Sequence, residues 1–321
     1  MTRIGVISNP RSRQNLRQLA AIRQLLETAP RIPHREPESP AEIASVLRQF
    51  AESGIDLVVV NGGDGTVLSV MTELLNGSRD WVPRLAVLPG GTTNLIAADV
   101  GLGREPAEAL RRLMRNGSDG SALIETKRSV VSLRYAEDRA PAHGMFFGTA
   151  AFYRGTMLGR DEVHPLGFEK SAAAGLSLLW FLLRAFFSRR GPNPLYRGET
   201  MEVRVDGKPI PEPEQFVLLG TTLRRLILGL RPFWGDGPGN LRYTSISFPP
   251  RRFGRAILPL MRGRPRPWMA SHGYRSGLAE EVTLVTDCPI VMDGEVFPTS
   301  RRFPVVIRAD HELTFVQVQR G

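Results

Sequence analysis

A chain of 321 residues with 42% hydrophobic and 23% charged residues holds enough apolar side chain for two domains with their own cores, which excludes a chain dominated by disorder. Its single cysteine, Cys288, excludes a disulfide scaffold and a cysteine-rich metal centre, fits a reducing cytoplasmic setting, and reads as a small core or strand residue. The formal charge of +10 is carried almost wholly by arginine, because Lys occurs only at 127, 170 and 208, and it suits an anionic partner: nucleic acid, an acidic membrane surface or a polyphosphate. With no basic-aromatic platform, helix-turn-helix signal or finger spacing, nucleic acid is the least supported of the three.

From the N-terminus, Ile4–Ser8 is an apolar run that predicts a strand and lacks the small-residue cleavage site of a signal peptide. Periodicity then predicts helices over Leu16–Leu26 and Ala41–Ala51, a strand over Leu57–Val60, a helix from Val67, a strand over Leu85–Leu88 and a helix over Pro106–Met114. This alternation predicts a parallel sheet covered by helices across residues 1–125. Two of its strands end in glycine-rich loops, Asn61-Gly62-Gly63-Asp64-Gly65-Thr66 and Pro89-Gly90-Gly91-Thr92-Thr93-Asn94. Glycine permits positive φ and close backbone approach, so the amides of each loop can converge on phosphate oxygens at a helix N-terminus, and Asp64 can hold Mg²⁺ or a sugar hydroxyl. Thr93 or Asn94 would cap the helix that begins at Leu95. In a parallel sheet the two loops would lie side by side at the carboxyl ends of the strands.

Residues 126–321 change texture. Short runs at Ser129–Tyr135, Met201–Val205, Phe216–Leu219, Leu241–Ile246, Val282–Thr286 and Val305–Arg308, separated by Gly and Pro turns, predict a mainly antiparallel domain of the β-sandwich kind. One segment near 171–188 breaks that pattern: Ala172–Phe187 is apolar on almost every face, is interrupted by Arg184 and ends at Arg189 and Arg190. It is shorter than the roughly 20 residues that span a bilayer, which leaves a helix in the core or one lying in a membrane interface. Asp293 and Glu295 stand two apart in a run that reads as strand, so both would face one side and either could act as a general base; a turn with both acids in solvent is the alternative. His164, His272 and His311 have no metal-ligand spacing. The Walker A sequence and the protein-kinase HRD and DFG motifs are all missing.

GGDGT followed by PGGTTN resembles the catalytic domain of the diacylglycerol kinase family, which includes bacterial lipid kinases and the sphingosine and ceramide kinases. The resemblance extends to the opening strand with its Asn9-Pro10-x-Ser12 turn, where Arg13 replaces the usual glycine, and to Asp293-Gly294-Glu295 near the other end. It implies an α/β nucleotide-binding domain, a β-sandwich acceptor domain and an active site in the cleft between them. It also implies ATP as phosphoryl donor with Mg²⁺, a donor cradle of Asn9, Ser12, Asn61, Gly62, Gly63, Gly65, Thr66, Gly91, Thr92 and Asn94, and catalytic roles for Asp64, Asp293 and Glu295. Asp64 would carry the metal; Asp236 lies where relatives place a structural Mg²⁺, although Gly-Pro-Gly-Asn follows it here. The implied acceptor is a membrane lipid such as diacylglycerol, with peripheral attachment to an anionic membrane and a homodimer left open. Two departures bear on the acceptor side: Thr221–Arg225 lacks the usual Asn and glycine run, and the chain stops at Gly321 where relatives often have a longer tail returning to the first domain. A soluble kinase of the NAD kinase type, which shares GGDGT, is the runner-up, and a non-catalytic lipid or nucleotide sensor the third reading.

Overall fold

The computed structural model describes residues 2–77, 80–119, 123–162, 196–226 and 229–318. The chain divides into two compact units, residues 1–128 with 312–321, and residues 129–311. The expected boundary at 125 falls close to this division, but the expectation of two consecutive segments does not describe it, because Glu312–Gly321 clusters with the first unit. The reason is a strand pairing: Phe315 pairs in parallel with Leu85, so the chain end does return to the first unit's sheet.

The first unit contains β1 (Ile4–Ser8), α1 (Asn15–Glu27), β2 (His34–Arg35), α2 (Pro40–Glu52), β3 (Leu57–Gly62), α3 (Asp64–Asn76), β4 (Arg84–Pro89), α4 (Leu95–Val100) and α5 (Pro106–Asp119). The strands run in parallel in the order β2-β1-β3-β4. β1 and β3 are buried along their whole length, which is why they read as unbroken apolar runs rather than alternating ones. One face of the sheet, including Ile4, Val6, Leu57, Val59, Ala86 and Leu88, packs on Leu19, Ile22 and Leu26 of α1 and Leu110 and Leu113 of α5. On the other face Phe50 of α2 lies over Gly5, where a Cβ would come within 2.7 Å of the ring. α2 starts at a local signal, Ser39-Pro40-Ala41-Glu42: the Ser39 hydroxyl accepts from the Glu42 amide, and the Glu42 carboxylate accepts from the Glu38 amide.

β5 (Leu123–Arg134) leads from the first unit into the second, whose elements are β6 (Ala142–Gly144), β7 (Phe146–Ala150), α6 (Ala151–Glu162), β8 (Glu199–Thr200), β9 (Glu202–Val205), β10 (Lys208–Pro209), β11 (Glu214–Thr221), β12 (Leu241–Ser247), α7 (Phe253–Arg262), α8 (Pro267–Ala270), β13 (Tyr274–Ala279), β14 (Glu281–Val285), β15 (Ile290–Met292) and β16 (Glu295–Phe297). The chain leaves again through β17 (Val305–Val318). One antiparallel sheet has the order β13-β12-β11-β7-β15-β16, and β10-β9-β14 pair antiparallel with the start of β17. α7 and α8 close one end of the larger sheet: Ala256, Leu260 and Met269 pack with Phe216, Ile246 and Tyr274. The apolar segment expected as a core or interfacial helix near 171–188, with His164, lies outside the described residues. Among the described residues no helix is long and apolar enough to cross a membrane.

A buried ion pair joins α4 to β5 within the first unit: Arg128 Nε donates to Asp99 Oδ2 at 3.0 Å, with side-chain exposures of 9% and 1%. Such a pair is costly to form and costlier to halve. Asp99→Ala should therefore lower the unfolding free energy by about 3–5 kcal/mol in a urea titration, because it strands the Arg128 guanidinium, whereas joint replacement Asp99→Leu with Arg128→Met should recover most of the loss. A single-variant loss below about 1 kcal/mol would contradict this reading of the pair.

Candidate functional site: two clamped glycine loops and a carboxylate hairpin

The two glycine loops leave neighbouring parallel strands, β3 and β4, whose register continues through Asn61↔Leu88 and Gly62↔Pro89. They are in contact along their backbones. Gly90 N donates to Gly62 O at 2.9 Å. A Cβ on Gly90 would lie 2.8 Å from Gly62 Cα, and one on Gly91 would lie 2.5 Å from Gly63 Cα. Real Cβ atoms do not approach so closely, so glycine is required here by the approach of one loop to the other. Positive φ is not the reason: Gly63 is extended at φ −83°, and Gly62, Gly90 and Gly91 are not among the left-handed glycines. The left-handed residue of the second loop is Asn94, at φ 52°. Its side chain staples the loop, with Oδ1 accepting from Gly91 N and Nδ2 donating to Gly91 O, each at 2.8 Å.

Asn94 takes the N-cap position of α4, but its side chain makes no cap hydrogen bond there, and Thr93 does not cap it. Asp64, the first residue of α3, reaches across and accepts from Leu95 N at Oδ2 and from Ile96 N at Oδ1, each at 2.9 Å. The carboxylate thus serves the N-terminus of a second helix about thirty residues away in sequence, where negative charge is favoured. Desolvation pushes its pKa up, against the lowering effect of the two amide donors. The expected role of Asp64 is to bind Mg²⁺ directly or through water; this environment disfavours direct ligation and does not bear on contact through water. Both oxygens are committed to amides, and no cluster of three His, Cys, Asp or Glu side chains exists among the described residues. Asp236, the other expected metal position, is exposed and joins no such cluster either.

β1 delivers the remaining predicted residues to the same place. Asn9 Nδ2 donates to Thr66 Oγ1 at 2.9 Å, and Ser12 Oγ accepts from Gly63 N at 3.3 Å. Thr92 is half-buried in the second loop, and Gly65 lies in the first turn of α3. Thr66 N and Val67 N donate to Gly63 O, which leaves the Asp64 and Gly65 amides without a partner among the described residues at the helix N-terminus. Asn9, Ser12, Asn61, Gly62, Gly63, Asp64, Gly65, Thr66, Gly91, Thr92 and Asn94 therefore form one connected patch of the first unit.

The sequence reading missed Asn15, Ser8 and His34. Asn15 Nδ2 donates to Asn9 O at 2.8 Å and Asn61 O at 3.0 Å. Ser8 Oγ accepts from Asn61 Nδ2 at 3.1 Å and lies 2.9 Å from His34 Nε2. The available signal was a polar residue, Ser8, closing a strand that is otherwise apolar. Asn15 Oδ1 and Asn61 Oδ1 are buried acceptors with no hydrogen-bond partner among the described residues. Such acceptors fit a ligand bearing N–H or O–H donors, such as a nucleoside, and the α3 N-terminus fits its phosphates.

In the second unit Asp293 and Glu295 are not on one strand. Met292 pairs with Glu295, so Asp293-Gly294 is the two-residue turn of the β15–β16 hairpin, with φ 48° and 91° at its two positions. Consecutive left-handed residues match the twist of the flanking strands, and Asp-Gly supplies them at least strain. The turn does not put both acids in solvent. Asp293 is 6% exposed and Glu295 is exposed. Asp293 Oδ2 accepts from Met145 N at 2.7 Å and Oδ1 from Phe146 N at 3.0 Å, holding the step between β6 and β7.

Gly91→Ala should push the loops apart, cost about 1–3 kcal/mol of stability as overpacked substitutions do, and weaken nucleotide binding by at least tenfold in calorimetry. Wild-type stability and affinity in that variant would show that the loops do not depend on backbone contact.

Comparison with known proteins relates the chain to a family of kinases. Residues 3–125 match the family model of the diacylglycerol kinase catalytic domain. Over 118 residues the chain is 32% identical to proteins named "Probable lipid kinase YegS" from Escherichia coli O1:K1 and from Shigella boydii serotype 18. The aligned region spans 37% of this chain and 38% of those relatives' length. A solved structure described as a diacylglycerol kinase from Bacillus anthracis str. Sterne superposes with TM-score 0.60 at 17% identity, covering 99% of this chain and 97% of that one. A second structure from the same strain gives TM-score 0.65 at 18% identity, with the same coverage. Residues 3–125 thus match the diacylglycerol kinase catalytic domain model, and over its full length the chain has the fold of those bacterial proteins.

Proposed function

We propose that this chain is an ATP-dependent lipid kinase that transfers the γ-phosphate to a hydroxyl of diacylglycerol or a similar membrane lipid. The observation that carries the reading is the clamped pair of glycine loops, on the very segment that matches the diacylglycerol kinase catalytic domain. Phosphoryl transfer asks chiefly for positioning and charge stabilisation, and loops fixed by Asp64 and Asn94 meet the first requirement. The donor phosphates would take the free amides at the N-terminus of α3, and the buried Asn15 and Asn61 oxygens would accept from the nucleoside. When bound with the nucleotide, Mg²⁺ would offset charge on the phosphates; the chain residues described here do not fit a metal cage of their own, and its hold would rest on the phosphates and water.

Of the two acids in the hairpin, Glu295 is the group available for proton transfer, and Asp293 is the positioning residue that fixes the turn presenting it. In the reaction the acceptor hydroxyl gives its proton to a general base while its oxygen bonds to the γ-phosphorus. The bond from the γ-phosphorus to the bridging oxygen breaks, and the nucleoside diphosphate leaves. Glu295→Gln should accordingly lower kcat by about 10²–10⁴-fold with little change in melting temperature. Asp293→Asn should lower the melting temperature, since it disturbs a carboxylate holding two amides. Equal kcat in wild type and Glu295→Gln would remove Glu295 from the chemistry.

Incubation with γ-labelled ATP and a total lipid extract tests the function itself. The expected product is one labelled phospholipid migrating as a lipid phosphomonoester. Label confined to water-soluble product, with NAD as acceptor, would favour the NAD kinase type; no transfer to either acceptor would favour a sensor.

A further inference from the structure

No acid occurs between Asp236 and Glu280, yet that stretch holds Arg251, Arg252, Arg255, Arg262, Arg264 and Arg266, all exposed. Several arginines elsewhere are neutralised: Arg11, Arg23, Arg84, Arg111 and Arg112 each pair with a carboxylate. None of the six forms an ion pair with another described residue. Like charges kept together without acids form a single-sign surface, which is unfavourable unless an anionic partner meets it.

The local fold arranges these residues on one side. α7 buries Ala256 and Leu260 against the sheet, so the opposite helical face carries Arg255, Leu258 and Arg262, which stand three and four residues apart. Leu258 is 53% exposed, an apolar side chain between two cations. Arg252 caps the start of the helix in the left-handed region at φ 54°, with its guanidinium 5.8 Å from the Trp268 ring centroid. At the other end Gly263 turns the chain at φ 59°, a position where a Cβ would lie 2.5 Å from Arg231 O, and Arg264 and Arg266 follow. The result is a short amphipathic helix with arginines at both ends, an apolar tip in the middle and an aromatic residue alongside.

We infer that the α7–α8 surface docks the protein on an anionic lipid bilayer, with Leu258 entering the headgroup region and the flanking arginines meeting lipid phosphates. The choice of a bilayer over another polyanion follows from the exposed leucine, which a membrane interface accommodates and a phosphodiester backbone does not. It also rests on the lipid-kinase reading, since an enzyme with a bilayer-resident acceptor gains from being held at that surface. The patch itself stands on its charge and geometry alone, so docking and kinase activity can fail independently.

The test is co-sedimentation of the full chain with vesicles of phosphatidylcholine, with and without an equal share of phosphatidylglycerol, at low and high salt. Wild type should bind the anionic vesicles, weaken as salt rises and ignore the neutral ones. Each cation near such a surface contributes about fivefold, so Arg255→Gln with Arg262→Gln should weaken binding about 25-fold, while lysine at both positions should retain most of it. Leu258→Ser should weaken binding to anionic vesicles without altering its salt dependence. Phosphorylation of a short-chain, water-dispersed diacylglycerol should be unchanged in all of these variants, whereas wild-type protein that docks on anionic vesicles but does not phosphorylate that acceptor would count against the kinase reading instead. A folded glutamine variant that sediments like wild type would overturn the inference. So would wild-type protein that ignores anionic vesicles but is held by a duplex oligonucleotide through Arg255 and Arg262.

Discussion

The contact on which the first unit's site depends is a carboxylate serving a helix other than its own. Asp64 belongs to α3, yet both its oxygens accept from the first amides of α4, Leu95 and Ile96. This fixes the second loop against the first at the spacing where Gly62 meets Gly90 and Gly63 meets Gly91. A side chain at Gly90 or Gly91 would have to displace the facing backbone, and one at Gly62 would press on the Thr66 side chain, so the glycines and the aspartate form a single steric and electrostatic solution. Enclosing a carboxylate to obtain it runs against desolvation, which is why the Asp64 pKa is raised. Groups held in such unfavourable surroundings concentrate at functional sites, where rigidity before binding matters more than stability.

The second unit repeats the device. Asp293 places both oxygens on the consecutive amides of Met145 and Phe146, as Asp64 does on those of Leu95 and Ile96. In each motif the aspartate next to glycine looks from its sequence like the reactive group, and in the structure it is the fastener. On the proposed function, the chemical duty would pass to what the fastener positions: backbone amides and buried amide oxygens in the first unit, Glu295 in the second.

The sequence carried the parallel sheet and its helices well, because β1, β3 and β4 carry apolar runs through their middles and α2 begins at a complete local capping signal. It carried the adjacency of the two loops for the same reason, since consecutive strands of such a sheet lie side by side. It did not reveal who caps α4, because that contact spans about thirty residues while local propensity offered Thr93 and Asn94. β2 is two residues long, too short for any periodicity to register. At Asp293-Gly294 two signals competed, period-two alternation and the Asp-Gly turn, and the turn prevailed through its paired positive φ values. α7 escaped notice because Gly254 and Pro259 interrupt a ten-residue helix whose stability comes from burying Ala256 and Leu260. The return of Glu312–Val318 to the first unit rests on pairing with a strand more than two hundred residues earlier, which no local pattern encodes.

The most direct measurement of the central claim is amide hydrogen exchange at Leu95 and Ile96 in wild type and in Asp64→Ala, each with and without a non-hydrolysable ATP analogue. If Asp64 clamps the loops into one nucleotide platform, both amides are slow in wild type, and the analogue slows Gly63 and Gly91 together. In the variant Leu95 and Ile96 should exchange at least tenfold faster, and the analogue should lose its joint effect on the two loops. Unchanged protection of Leu95 and Ile96 in Asp64→Ala, or an analogue that protects one loop alone, would contradict the account.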